Sequence, residues 1–421
     1  MTVSRTGVAT RAISIVLLAL LVVGCGGSSP SGQRGRSSGE PAALGSGLEA
    51  DLPTPRATVI PEPKHEVYGY VPYWEMDASI ADHIGRTELT TLALFSVTHR
   101  GNGKLDNQTG LRRIRGDVGA AMIRAARAQE ARVEIVYTSF GSAKNRAFYG
   151  NPKAQDRWID EIIGLVEELD LDGINVDVEA LPIDLVPDYG AFVGRLRTAL
   201  RERVADAQVS VATQANETGA AMAAAAATAG ADRIFLMGYD YRWSGSQPGA
   251  SAPIDRMDGE VKDLTWSLDL YGALGVPSDR LILGLPLYGV TWPVIGPGFL
   301  AQSSGRGDPW VPRRNLGVLS DPAFEPAYEP TESVEWYAVP SAYATNRPSA
   351  AVPGVAASAS PEPIAWNAVY YDSPRSLAPK LRLANERGLA GAGFWAIGYE
   401  RGLPGYTELI ATFRAGDLPK E

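Results

Sequence analysis

Eight short β-rich apolar runs recur along the chain, and most successive pairs enclose a segment whose apolar residues follow a helical spacing. The runs are VYGYVPY at 67, TLALFSV at 91, VEIVYTS at 133, DGINVDVE at 172, VSVATQ at 209, RIFLMGY at 233, LILGLPL at 281 and GAGFWAI at 391. The intervening segments include AAMIRAARAQEA, DRWIDEIIGLVEEL, YGAFVGRLRTALRERV and SPRSLAPKLRLANERG. Alternation of this kind implies a parallel sheet, since a parallel return needs a long crossover that a helix usually supplies. Eight repeats in 421 residues favour an α/β fold of the closed (β/α)8 TIM-barrel type over an open doubly wound sheet. An open dinucleotide-binding sheet would carry a glycine-rich phosphate turn after its first strand, and VPYWEMD is not such a turn.

Run starts are spaced by 24 to 48 residues up to the seventh, then by 110 to the eighth, so a small insertion is expected between strands seven and eight. Residues of about 288–363 are rich in Pro, Gly and Ser with scattered aromatics, which suggests a loop-rich or antiparallel unit, with PSAAVPGVAASASPEP mobile. The alanine-rich AAMAAAAATAG at 220 reads as a helix packed closely on the barrel, with no chemistry implied.

The fourth run raises a problem. In LDGINVDVEA, residues 171–180, Ile174, Val176 and Val178 share one face of a strand and Asn175, Asp177 and Glu179 the other. The strands of a parallel barrel are covered on both faces. Odd positions would point into the bore, which branched apolar side chains normally fill, and two carboxylates there are costly unless paired or engaged in chemistry. Glu179 falls at the exit end of its strand, where barrel active sites are built. A structural polar network bonded to neighbouring strands would use the same residues, and the spacing by itself leaves both readings open. Asp172 is out of step with the row and is expected to be structural.

Composition narrows the chemistry. Cys25 is the only cysteine and His65, His83 and His99 the only histidines, so disulfides, thiolate sites and histidine metal clusters are not expected and no cofactor is called for. The formal charge of −9, or −11 once Arg5 and Arg11 leave with residues 1–24, argues against nucleic acid as a partner. Residues 1–24 combine a weakly basic start with an apolar run from Ile13 to Val23 and read as a secretion signal, too short for a comfortable membrane span. Its end, LVVGC, resembles the lipobox of bacterial lipoproteins, which implies lipidation of Cys25 and a place in the cell envelope, anchored in a membrane on its extracytoplasmic side. Residues 25–63 are rich in Gly, Ser, Pro and Ala and read as a flexible tether. The folded unit is expected over 64–417, working as a monomer.

Several motifs together carry a resemblance. DGINVDVE is similar to the DGxDxDxE signature on the fourth barrel strand of glycoside hydrolase family 18, the chitinases and endo-β-N-acetylglucosaminidases, including spore-cortex-lytic members. FLMGYDY at 235 resembles the family's M-x-Y-D on strand six, LILGLPLYG at 281 its G-x-P-x-Y-G on strand seven, and GAGFWAI its tryptophan on strand eight. VYGYVPYWE resembles the first strand, and YDSPRSLAPK the segment before the last; the likeness runs in order over about residues 66 to 415.

The resemblance implies a glycosidase cleaving β-1,4 bonds next to N-acetylglucosamine, in a chitin-like or peptidoglycan-like polymer. It also implies that the sugar's 2-acetamido group, with no protein side chain, attacks the anomeric carbon. Glu179 would be the acid and then the base, Asp177 would hold the acetamido N–H, and Tyr239 would hydrogen-bond the acetamido oxygen. Asp240 would support the site, Met237 line it, and Trp395 form its apolar floor. Asn175 stands where many chitinases have aspartate; it would donate to Asp177 and keep it ionised, and it resembles the spore-cortex-lytic branch. Tyr70, Trp74, Tyr137, Trp243, Tyr288 and Trp292 are further aromatics near strand ends, of which Trp243 and Trp292, together with Tyr70, are the candidates for stacking on sugars. A non-catalytic chitin- or peptidoglycan-binding lectin on the same barrel is the alternative. In family 18 lectins the acid glutamate is typically replaced, whereas Glu179 is present here.

Overall fold

The computed structural model describes residues 64–341 and 365–418. The signal, Cys25 and the tether expected over 1–63, and the segment 348–363 expected to be mobile, lie outside the described residues.

Eight parallel strands close into a barrel: β1 (Glu66–Pro72), β2 (Thr91–Val97), β3 (Arg132–Phe140), β4 (Gly173–Glu179), β5 (Gln208–Gln214), β6 (Arg233–Met237), β7 (Leu281–Pro286) and, last in the chain, β13 (Gly391–Trp395). Closure is made by β1 pairing with both β2 and β13. Helices return the chain between most strands. The one before β4, Pro152–Leu169, starts cleanly: Asn151 caps it by accepting from the Ala154 N–H at 3.2 Å, and Pro152 opens its first turn. It buries Trp158, Ile162, Ile163 and Val166 on the barrel and ends on Asp170, whose φ of 52° is left-handed.

The alanine-rich helix Glu217–Thr228, capped by Asn216, packs side by side with the helix Val186–Arg203. A Cβ on Gly190 would come 3.2 Å from that of Ala225, so small side chains on both set the closeness of approach.

The strand alternation sorts the core into two shells. Ile174, Val176 and Val178 of β4 face the helices, with Val209, Val211, Ile234, Leu236 and their neighbours. Tyr68, Tyr70, Val136, Ala212, Phe235 and Ile282 fill the bore. Phe235 crosses the bore only because its neighbours lack side chains: a Cβ at Gly284 or Gly393 would lie 2.2 or 2.5 Å from its ring.

Below the carboxylate row runs a polar layer. Tyr68 donates to Glu134 Oε2 at 2.6 Å, Ser210 donates to the same oxygen, and Asn175 Nδ2 donates to Ser210 at 2.7 Å. Glu134 is fully buried and, among the described residues, its Oε1 has no partner. Burial pushes its carboxyl up to about 7, against the pull of the Ser210 and Tyr68 hydroxyls. The folded state therefore holds a proton that the unfolded chain releases near 4.5, and stability falls as pH rises from about 4.5 to 7, by about 3 kcal/mol from this group. Glu134→Gln does not titrate, so urea unfolding at pH 4.5 and 8 is expected to show the variant gaining about that much on the wild type between the two. Parallel pH curves would count against it.

Between β7 and β13 a second sheet forms from β8 (Gly289–Val294), β9 (Asp308–Trp310), β10 (Ala327–Glu329), β11 (Val334–Pro340) and β12 (Trp366–Tyr371), all antiparallel, in the order β10-β11-β12-β8-β9. Its last strand runs past the 363 end suggested by composition, because WNAVYY has none of the Pro and Gly that marked the rest. A buried fork joins it to the loop after β6: Arg242 donates to both oxygens of Glu332, at 2.6 and 2.7 Å.

Candidate active site

Glu179 ends β4, and Ala180 turns the chain away with φ of 54°. Its backbone carbonyl accepts from Asn145 Nδ2 at 2.7 Å and from the Gly141 N–H at 3.2 Å, so the helix after β3 holds the end of β4 in place. Its side chain is half-buried and Oε2 accepts from Gln214 Nε2 at 3.1 Å. Burial, then the charge of Asp240, pushes this carboxyl up to about 7, while the Gln214 hydrogen bond pulls the other way. A carboxylic acid half-protonated near neutral pH can give a proton and take it back.

Asp177 lies two residues earlier on the same face, paired in register with Thr138 of β3 and Ala212 of β5. It is 4% exposed and, among the described residues, its buried Oδ1 has no hydrogen-bond partner. Burial and the charge of Glu179 hold its carboxyl well above the usual range. A buried acceptor with no donor costs roughly 1–3 kcal/mol, more for a charge, unless something else fills the place. Two neighbouring carboxyls raised together titrate as a pair.

Tyr239 follows β6. It packs on both core shells, its ring lies 6.1 Å from that of Tyr288, and its hydroxyl makes no hydrogen bond among the described residues. Asp240 takes a left-handed φ of 61°, its N–H donates to Ser251 Oγ at 3.0 Å, and its carboxylate accepts from the Tyr288 hydroxyl. Met237 is half-buried at the end of β6 against the bore cluster. Trp395, half-buried at the end of β13, meets Phe95 edge-on at 4.7 Å, with Tyr70 at 5.8 Å and Trp74 at 6.2 Å. Trp74 is itself 40% exposed and donates from Nε1 to the Tyr399 hydroxyl at 3.0 Å.

Four expectations change. Asn175 is fully buried and spends its amide on Ser210 while accepting from Tyr70 at 3.1 Å; it neither donates to Asp177 nor lines an open surface. Asp177 is consequently not held ionised by it. Tyr70 is 2% exposed, a bore residue beneath the row with no face to offer a sugar. Trp292 is fully buried inside the second sheet, 5.7 Å from Tyr370, because positions 290, 292 and 294 of β8 all turn into that sheet's own core. Tyr137 faces the helices, 4.6 Å from Trp158.

Trp243, by contrast, is 39% exposed in the loop after β6, with the Arg306 guanidinium 5.5 Å over its ring. Asp172 accepts from the Val133 N–H at 2.8 Å at the opposite end of the strand. Gln214 and Asn145 join the site beyond the sequence expectation; Gln214 carries a sequence signal, a polar residue closing the bore-facing series 210, 212, 214 at a strand exit, and Asn145 carries none. Among the described residues no three His, Cys, Asp or Glu side chains gather as a metal site.

The family model for glycosyl hydrolases family 18 matches residues 66–400, which spans the barrel from β1 through β13. The chain belongs to glycosyl hydrolases family 18. A curated relative, "Probable chitinase 2" of Drosophila melanogaster, is 24% identical over 61% of this chain. The match takes in 53% of that protein, so the chain spans about half the length of this curated relative. Among solved structures, the Bacillus cereus spore cortex-lytic enzyme SleL superposes with a TM-score of 0.64 at 18% identity, over 82% of this chain and 73% of that one. The Ostrinia furnacalis Group IV chitinase, solved in complex with allosamidin, superposes with a TM-score of 0.69 at 16% identity, over 84% and 98%. Identities this low establish the shared fold.

Proposed function

We propose that this family 18 glycosidase cleaves β-1,4 bonds next to N-acetylglucosamine by a substrate-assisted, retaining route. The observation that carries this reading is the orphaned Oδ1 of Asp177: a buried acceptor with no donor among the described residues, next to an acid whose carboxyl is pushed up to about 7. An acetamido N–H is a donor of the right kind for that atom, and accepting it stabilises the ionised form of Asp177. The proton of the pair is then left on Glu179, at the strand end, where it can pass to the glycosidic oxygen.

The acetamido oxygen attacks the anomeric carbon as that bond breaks, forming an oxazolinium ion whose charge faces Asp177. Glu179, now ionised, takes a proton from water as it adds to the same face from which the leaving group departed, and the β configuration returns. Tyr239, with its free hydroxyl, donates to the acetamido oxygen; Trp395 lies beneath the ring. A lectin has no need of an acid tuned near 7, so this reading stands above the non-catalytic one. The names of the similar proteins, chitinase and spore cortex-lytic enzyme, support polymers of the chitin and peptidoglycan kinds.

Chitooligosaccharides and purified muropeptides digested side by side test the reading. Products ending in N-acetylglucosamine at the reducing end by mass analysis are expected, and no cleavage of either polymer would overturn it.

The same reading holds the enzyme at the outside of a membrane through a lipid on Cys25. Cys25→Ser is expected to move the protein from the membrane fraction to the soluble one, since a single cysteine carries the whole anchor. Retention in membranes after a high-salt wash would refute the anchor.

A further inference from the structure

A cavity of about 260 Å³ opens beside the carboxylate row, at the C-terminal ends of β2 and β3. Thr138 forms part of its wall and is the register partner of Asp177, so the cavity begins one strand away from the row. Neighbouring strands are about 5 Å apart, roughly the width of one sugar ring. Ser96, Thr98, Gln108, Thr109, Arg112 and Thr138 supply its polar lining, and no carboxylate belongs to it.

The hydroxyls are held in place from behind. Thr98 donates to the Thr138 carbonyl at 2.5 Å, Thr138 donates to the Val97 carbonyl at 3.2 Å, and Ser96 Oγ lies 3.3 Å from Thr138 Oγ1. Lys144 Nζ donates to Thr98 Oγ1 at 2.5 Å. This ammonium is half-buried, and among the described residues it forms no ion pair; burial lowers its pKa, with the charge of Asp106 at longer range opposing. Asp106 is already bonded to Arg100 at 3.0 Å. His99, beside it, is pushed down to about 4 by burial and carries no charge near neutral pH. Arg112 spends its guanidinium on the Asn107 carbonyl at 2.8 Å and the Thr109 hydroxyl at 3.0 Å, and among the described residues it forms no ion pair. In a chain of net charge −9, this is a local excess of positive charge around a polar cavity.

We propose that this cavity binds a carboxylate borne by the glycan about one sugar ring from the bond being cleaved. The inference rests on the glycosidase reading above and narrows its substrate class to glycans that carry an acidic substituent. A half-buried ammonium whose only opposing acid, Asp106, is already bonded to Arg100 and Gln108 favours an anionic guest. Lys144 Nζ gives one of its N–H groups to Thr98, and its other N–H groups, those Arg112 has left and the Thr109 hydroxyl are donors for the two oxygens of a carboxylate. Two sources share this chemistry: a lactyl ether arm, as on muramic acid, or a hexuronic acid ring.

The test compares kcat/KM for N-acetylglucosaminyl-muramyl oligosaccharides with free carboxylates against the same oligosaccharides methyl-esterified, which removes the charge and keeps the shape. Oligomers alternating N-acetylglucosamine with glucuronate form a third arm and tell the lactyl arm from the hexuronate. The wild type is expected to favour the free acid at least tenfold on one of the two. Lys144→Met should reduce that ratio at least fivefold, and Lys144→Arg should keep most of it. A wild-type ratio near one on both glycans, or a ratio unchanged in Lys144→Met, overturns the proposal.

Calorimetry on the Glu179→Gln protein separates this inference from the reaction it rests on. If no polymer is cleaved but the free acid still binds more tightly than the ester, the cavity stands and the proposed reaction falls. Equal binding of acid and ester removes the cavity whatever the turnover.

Discussion

Glu179→Gln is expected to lower kcat by about two to four orders of magnitude while leaving sugar binding in place. The amide keeps the shape of the side chain and can still meet Gln214, which now bonds Oε2 at 3.1 Å, but it has no proton to give at any working pH. The wild-type profile should show the same group: the acid must be protonated in the free enzyme, so kcat/KM is expected to decline above about pH 7 as Glu179 ionises. That alkaline limb disappears from the residual activity of the variant. Steady-state kinetics between pH 5 and 9 on both proteins checks each point. A variant retaining more than a tenth of the wild-type rate would take Glu179 out of its assigned role.

Asp177→Ala is expected to cost about 10²–10³ in kcat, the scale found when one preorganised partner of a developing charge is removed. The variant leaves the acid in place, so the loss reports the acetamido contact together with the partner that Glu179 titrates with. It also separates this route from one with a protein nucleophile. Asp177 and Glu179 stand two residues apart on one strand and point into the bore together, so they cannot flank a glycosidic bond from opposite faces. Azide is therefore expected to give no rescue of Asp177→Ala, because no protein nucleophile has been deleted and no glycosyl azide can form in its place. The wild-type product should keep the β configuration by proton NMR, and a substrate lacking the acetamido group should be cleaved barely at all. An inverted product, or azide rescue, would overturn the substrate-assisted route and leave the fold untouched.

Both residues lie in one stretch of ten. The period-two alternation of LDGINVDVEA states which side chains share a face, and any strand would obey it. The recurrence of eight such runs with helices between them was enough for a closed barrel, and position at a strand exit was enough to mark Glu179. These are local properties, written in neighbouring residues and in the order of elements. The second sheet was legible as a long interval, but its end was not, since β12 looks like any other apolar run.

What neighbouring residues could not state is how each side chain is covered. Trp243 and Trp292 both follow barrel strands and read alike in sequence. One is 39% exposed and the other fully buried, because β8 turns its even positions into a sheet completed by β12, some eighty residues further along the chain. Asn175 looked like a donor to Asp177, two positions away; strand geometry puts it one layer lower, where Ser210 of β5 and Tyr70 of β1 take up its amide. The Gln214 bond to Glu179 and the Lys144 bond to Thr98 are likewise meetings of residues from different strands and loops, and among the described residues Asp177 Oδ1 is left without a donor and Lys144 without an ion pair. Sequence by itself determined the barrel and the row of carboxylates, since backbone periodicity and element order carry both. Only the tertiary structure decided which partners those groups find and which they lack, because burial and hydrogen bonding depend on residues that closure of the barrel brings together from far along the chain.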